Sequence, residues 1–167
     1  MIQIYTGKGK GKTTAALGLA LRAAGAGKKV YICQFLKGKY CCEHISLKAL
    51  RNIKFKQFGS GSLIKDSPAK KDFALAKCGL EAAKKVIRDK KCDVLILDEI
   101  NAALNLGLIK TKDIVELIKK TPRETELILT GRSAPAQLLK LADLVSEIRE
   151  IKHYYKKGVK ARKGIEF

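Results

Sequence analysis

The sequence predicts a single α/β domain, a mostly parallel sheet with helices on both faces, and three observations lead there. Short apolar runs of strand length alternate with helical patterns through all 167 residues, the pattern of strand–helix–strand units. One run, residues 94–97, is apolar at every position, as a strand buried on both faces of a parallel sheet is expected to be. A glycine-rich turn, Gly7-Lys8-Gly9-Lys10-Gly11, separates the first strand from the first helix, where such folds gather phosphate.

In chain order, residues 2–5 form a short strand and residues 12–24 a helix. Ala15, Ala16, Leu17, Leu19, Ala20, Leu21, Ala23 and Ala24 make that helix apolar nearly all round, so it is expected to be largely buried. Gly25 and Gly27 end it, as glycine does just past a helix. Residues 30–35 are the second strand, and residues 53–58, with an alternating pattern, the third. Pro68 opens a long helix running to about Asp89, proline being tolerated in the first turn. Phe73, Ala76, Leu80, Ala83 and Ile87 give this helix one buried stripe. After the strand at 94–97 come a helical segment at 111–120, a strand at 127–130, a helix at 135–141 and a strand at 144–148. The basic tail from Lys152 to Phe167 has no clear period. Neither a repeat nor a low-complexity linker interrupts the chain, so residues 1–167 read as one domain.

Composition narrows the function. Hydrophobic residues are 46% and charged residues 31%, which excludes a disordered chain. No apolar stretch approaches the roughly 18–20 residues of a membrane span. The first residues show no basic segment leading into an apolar run, so a cytoplasmic protein is expected. Thirty-five Lys and Arg face 16 Asp and Glu, a formal +19. That charge could serve a nucleic-acid surface, but it is spread along the chain, and aromatics, at 6%, offer few stacking platforms for bases. A lysine-rich surface together with a polyanion site accounts for it more simply, and nucleic acid is not the expected partner. Five cysteines without C-x-x-C spacing argue against a disulfide framework or zinc site. Cys33 and Cys92 read as small core residues.

The chemistry centres on Thr6-Gly7-Lys8-Gly9-Lys10-Gly11-Lys12-Thr13-Thr14. Alternating glycines let successive backbone N–H groups turn inward as an anion nest, and the helix N-terminus adds its positive end. Lys12 brings a full charge to phosphates and Thr13 a hydroxyl to Mg²⁺. The domain is therefore P-loop NTPase-like and expected to bind a nucleotide with Mg²⁺. One position departs from G-x-x-x-x-G-K-[ST]: Thr6 stands where glycine would, which points to an unusual nucleotide pose. Asp98 and Glu99 end the apolar strand at 94–97, the sheet edge where ligands bind. Asp98 reads as a metal-supporting acid or as a helix cap. Arg132, in the turn after the strand at 127–130, could reach a phosphate or pair on the surface. Arg22, set in an apolar helix, is expected to be buried against an anion. His44 and His153 read as structural or solvated.

Taken together, these residues resemble the ATP:corrinoid adenosyltransferases of the P-loop type. The matching runs are Tyr5 to Thr14, Arg22 with Ala23-Ala24-Gly25, Gln34-Phe35-Leu36-Lys37-Gly38, Leu97-Asp98-Glu99-Ile100-Asn101, Thr130-Gly131-Arg132, Ala142-Asp143-Leu144, Lys152-His153, Gly158 and Gly164-Ile165-Glu166-Phe167. The resemblance implies that a cobalt(I) corrinoid attacks the 5′-carbon of ATP and triphosphate leaves, in adenosylcobalamin biosynthesis or salvage. ATP would lie in a reversed sense, exposing that carbon. Lys12 and Glu99 are the implied catalytic residues. Gly7, Lys8, Gly9, Lys10, Gly11, Lys12, Thr13, Thr14 and Arg22 would bind ATP. Thr13, Glu99 and Asp98 would hold Mg²⁺. Gln34, Lys37, Gly61, Asn101 and Arg132 would stand by the corrinoid or behind the first contacts. An electron donor for cobalt and a homodimer are also implied. Two runs depart from the family pattern: Lys39-Tyr40-Cys41-Cys42-Glu43 keeps only Glu43 of a Gly-Glu pair, and Gly61-Ser62-Leu63-Ile64 lacks the usual two aromatics. The alternatives are a nucleic-acid-associated P-loop ATPase and a small-molecule kinase, both of which would release ADP.

Overall fold

The structure, a computed structural model, describes residues 1–61, 64 and 67–167. Strands β1 (Ile2–Thr6), β2 (Val30–Phe35), β3 (Ile53–Phe58), β4 (Val94–Asp98), β5 (Glu126–Thr130) and β6 (Leu144–Glu147) form one sheet in the order β3-β2-β4-β5-β1-β6. Every pairing is parallel. The helices are α1 (Lys12–Gly25), α2 (Cys42–Lys48), α3 (Lys70–Arg88), α4 (Ile100–Asn105), α5 (Thr111–Lys120) and α6 (Ala136–Leu139). A single 3₁₀ turn, Tyr154–Lys157, interrupts the tail. No helix of the described residues is long and apolar enough to cross a membrane.

The period-two alternation of strands divides the core into two layers. Val30, Ile32, Val94, Ile96 and Ile128 face α1 and α2, where they meet Ala16, Ala20, Ala23 and Leu47. Cys33, Phe35, Leu95, Leu97, Leu127 and Leu129 face the other side and pack with residues of α3, α4 and α5. All five residues of β4 are buried, so the uniformly apolar run is explained by helices on both its faces.

Several expectations need correction. Helix α1 is not buried all round: its buried residues are Lys12, Ala16, Ala20 and Ala23, whereas Leu21 is 59% exposed. Apolar content alone did not decide its orientation, because the small alanine face is the one that fits closely against the sheet. Arg22 is exposed near the C-terminal end of α1 and is no buried cation. Phe73 is exposed on α3, and its place in the stripe is taken by Asp72, Gly79 and Val86. The helix begins at Lys70, after Pro68, where the Asp72 carboxylate accepts the Ala69 N–H at 2.9 Å. The short helices α2 and α4 were not foreseen. All four residues of β6 are exposed, as befits an edge strand.

Two features of the second layer give measurable consequences. A Cβ at Gly79 would stand 2.6 Å from Phe35 Cε1 and 2.9 Å from Phe58 Cγ. Glycine there lets α3 lie directly on that aromatic pair. Gly79→Ala gains helix propensity, about 1 kcal/mol, but overpacks a fully buried ring at about 1–3 kcal/mol. Urea unfolding should therefore show no gain or a net loss of stability, and Gly79→Leu a much larger one. Burial also pushes the Cys33 and Cys92 thiols up to about 12. Alkylation at pH 8 should label the exposed Cys78 readily and spare Cys33 and Cys92 until denaturant is added.

Candidate functional site

The glycine loop sits at the carboxyl edge of the sheet because β1 ends at Thr6 and α1 starts at Lys12. Gly7 and Gly11 take φ values of 100° and 117°, which side-chain-bearing residues rarely adopt. The loop is braced from one side by the chain leaving β6. Gly9 N–H donates to the Ile148 carbonyl at 2.8 Å, and Ile148 N–H to the Thr6 carbonyl at 2.8 Å. A Cβ on Gly7 would collide with Ile148 backbone, and one on Gly9 would lie 2.8 Å from the Arg149 carbonyl carbon. Thr6 has a reason of its own: its hydroxyl accepts the Ala134 N–H at 3.2 Å, tying the loop to the turn after β5. Glycine could not make that bond.

Strand order then places the acid. Strand β5 lies between β1 and β4, so Thr130 at the end of β5 stands between the loop and Asp98. The Asp98 carboxylate is 1% exposed and accepts four hydrogen bonds. Thr13 Oγ1 donates to Oδ1 at 2.9 Å and Thr130 Oγ1 to the same oxygen at 2.7 Å. Gln34 Nε2 donates to Oδ2 at 2.9 Å and Lys37 Nζ at 3.2 Å. Asp98 therefore does not cap α4; that position is Glu99, held at φ 60° with its N–H on Thr130 Oγ1 at 2.9 Å. Strands β2 and β4 are neighbours whose onward connections run to opposite sides, to β3 and β5. Such a divergence opens a crevice at strand ends.

A cavity of about 930 Å³ lies over this edge. Lys8, Gly9, Lys10, Gly11, Lys12, Thr13 and Thr14 line it together with Lys37, Glu99 and Arg132. Lys12 is buried, with its ammonium donating to the Gly9 carbonyl at 2.7 Å. Burial lowers its pKa; Glu99 and Asp98 oppose that shift, and Arg132 adds to it. Burial raises the Glu99 pKa, with Asp98 adding and Lys37, Lys12 and Arg132 opposing. Each partner is thus short of counter-charge. A triphosphate beside Lys12 and a divalent cation beside Glu99 would supply it.

The donor set fits magnesium. Thr13, Asp98 and Glu99 offer hard oxygen ligands, and the oxygens of Thr13 and Asp98 already converge on a cation, the Lys37 ammonium, at 3.1 and 3.2 Å. The second wall of the cavity is the C-terminal tail, through His153, Tyr155, Lys156, Gly164, Ile165, Glu166 and Phe167. Lys10 turns toward that tail, donating to Tyr154 Oη at 2.7 Å, Glu166 Oε1 at 2.9 Å and the Ile165 carbonyl at 3.2 Å. Glu166 also bonds Tyr154 Oη and the Arg162 N–H. Tyr154, then Lys10 and Arg162, hold its carboxyl well below the usual carboxylate range.

Not every expected residue arrives. Arg22 is outside the cavity lining, about a dozen ångströms or more along α1 from Lys12 at 1.5 Å per residue. Gln34 lies beneath the cavity as a support of Asp98. Asn101 is fully buried, its amide 3.5 Å from the Gly131 carbonyl and its Oδ1 without a partner among the described residues. Gly61 follows β3, beside Gly38. Of the aromatic-free run, Ser62 and Leu63 lie outside the described residues. Sequence reasoning did not foresee the roles of Thr130, Tyr154 and Glu166. Their contacts span 32, 144 and 156 residues, and only strand order or tail docking reveals them.

Similarity to known proteins bears directly on this arrangement. The sequence model of the ATP:corrinoid adenosyltransferase BtuR/CobO/CobP family matches residues 1–167. A corrinoid adenosyltransferase of Escherichia coli (strain K12) is 35% identical over 167 residues, covering 100% of this chain and 85% of the relative. One from Sinorhizobium sp is 37% identical over 171 residues, covering 100% and 80%. The corrinoid adenosyltransferase CobA of Salmonella typhimurium (strain LT2) is 33% identical, with 100% and 85% covered. The nucleic-acid ATPase reading gains no support from these similarities. On a match that runs the whole length of the chain, with the loop, Glu99 and the tail facing one cavity, the chain belongs to the ATP:corrinoid adenosyltransferase family.

Proposed function

We propose that this cavity binds ATP with its triphosphate in the 7–14 loop and presents the 5′-carbon to a reduced corrinoid. The observation that carries the reading is the convergence of the glycine loop, the buried Lys12 ammonium, Thr13 and Glu99 on one cavity. The cobalt(I) centre supplies the electron pair for a cobalt–carbon bond; the C5′–O bond breaks, and its electrons leave with triphosphate. No general base is needed, because the nucleophile carries no proton. The protein's task is orientation and stabilisation of a departing polyanion.

Lys12 and the inward backbone N–H groups of the loop would take most of the triphosphate charge, with Lys8 and Arg132 at the rim. Thr13 and Glu99 would hold Mg²⁺, with Asp98 anchoring Thr13 from behind. When bound, Mg²⁺ neutralises phosphate oxygens as charge develops on the leaving group. Lys37 reaches Asp98 from the β2 end with its ammonium and also lines the cavity that would receive the phosphates. Lys10 contributes its backbone to the loop, while its side chain keeps the tail closed over the cavity. An electron donor that keeps cobalt reduced, and a homodimeric assembly, complete the proposal.

Incubating the protein in the dark with ATP, Mg²⁺ and chemically reduced corrinoid should yield a light-sensitive alkylcobalt chromophore and inorganic triphosphate in equal amounts. Release of ADP and phosphate instead would overturn the reading. Lys12→Ala should lower the rate about 10²–10³-fold, the usual cost of removing one oxyanion-stabilising donor. Glu99→Gln should raise the Mg²⁺ concentration for half-maximal ATP binding about tenfold or more, measured by calorimetry without corrinoid. An unchanged requirement would remove Glu99 from the metal site.

A further inference from the structure

Helix α2 carries a histidine that the proposed chemistry leaves unused. His44 is fully buried, its ring stacked on Phe55 with centroids 4.4 Å apart and edged by Tyr40 at 5.1 Å. Its Nδ1 accepts the Cys41 N–H at 3.0 Å, so in the neutral ring Nε2 carries the proton. Burial is the main cause lowering its pKa, which favours the neutral ring. Nε2 lies 3.0 Å from Gln34 Oε1. Gln57 Nε2 donates to that same oxygen at 3.1 Å and to the Lys39 carbonyl at 3.0 Å. With its oxygen engaged twice, the Gln34 amide turns its N–H toward Asp98 Oδ2, 2.9 Å away.

We propose that His44 is a positioning residue for the metal–nucleotide site, fixing the Gln34 amide so that its N–H, not its carbonyl, faces Asp98. The opposite amide orientation would set oxygen against carboxylate and N–H against two donors. Three hydrogen bonds, two of them buried, would be lost together. Asp98 in turn holds the Thr13 hydroxyl. The chain His44–Gln34–Asp98–Thr13 thus joins the divergent run at residues 39–43, through the Cys41 N–H, to the loop that receives ATP. The inference rests on the Mg²⁺–ATP reading above.

Two substitutions separate the ring's two bonds. His44→Asn keeps an acceptor where Nδ1 stood, preserving the Cys41 cap, and loses the donor to Gln34. His44→Gln keeps a donor where Nε2 stood and loses the cap. Calorimetric titration of ATP at graded Mg²⁺, without corrinoid, should show H44N needing about five- to tenfold more Mg²⁺ than wild type. H44Q should stay near wild type, although thermal unfolding shows both variants destabilised. Equal Mg²⁺ requirements in the two variants would overturn the proposal and leave His44 a core residue. A wild type whose ATP binding ignores Mg²⁺ would instead overturn the metal reading on which it rests. Should either variant fail to fold, nitrogen-15 spectra of wild-type His44 at about pH 8 decide: a proton on Nε2 alone is expected. A proton on Nδ1 would sink the idea.

Discussion

One buried carboxylate organises this protein. Asp98 is almost wholly withdrawn from water, and an ionised carboxylate in that position is tolerable only when every lone pair has a donor. The four donors come from four separate elements: Thr13 from α1, Gln34 from β2, Lys37 from the turn beyond it, and Thr130 from β5. Each must reach the same point at the sheet edge. The parallel register supplies that coincidence, pairing Gln34 with Asp98 and Tyr5 with Thr130. Losing one donor would leave part of a charge unpaired, at a cost of about 3–5 kcal/mol when the lost partner is itself an ion. The phosphate loop, the acid pair and the β2 turn are in this sense one structure with a single centre.

Most of the fold was legible because its signals are local. The alternation of strands and helices, the loop flanked by strand and helix, and the uniformly apolar β4 all depend on neighbouring residues. What failed depended on distance. Arg22 lies among alanines and leucines in sequence, yet the helix turns it to solvent, since burial follows one angular face and not the average composition. Phe73 matched the periodic stripe but stands off the face of α3 that Asp72, Ala76 and Gly79 bury, and is 44% exposed. Thr130 was quoted only as part of a motif; its grip on Asp98 requires knowing that β5 lies between β1 and β4. His44 carried no signal at all, because a lone histidine in a short polar run looks the same whether solvated or fully enclosed.

The net charge also takes a different meaning. The formal +19 suggested a polyanion site, yet the cavity is lined by six Lys and Arg side chains and four Glu. Most of the excess therefore lies elsewhere on the surface. Within the cavity positive charge is concentrated at the buried Lys12, which acts at short range and is poorly screened by salt. The glutamates are not wasted against that purpose: Glu166 binds Lys10 to the tail, and Glu99 stands where a cation can join.

The docking of the tail on the loop sets an order for the protein's birth. Lys10 and Glu166 are separated by 156 residues, and β1 finds its two neighbours only in β5 and β6. During synthesis the phosphate loop is therefore made early but has nothing to rest on. At about 5–20 residues per second, its braces follow on the order of ten seconds or more later. Throughout that interval the nascent chain carries an unpaired, apolar first strand and an unformed nucleotide site. The contacts that close the cavity form only when residues 154–166 have come back to the loop.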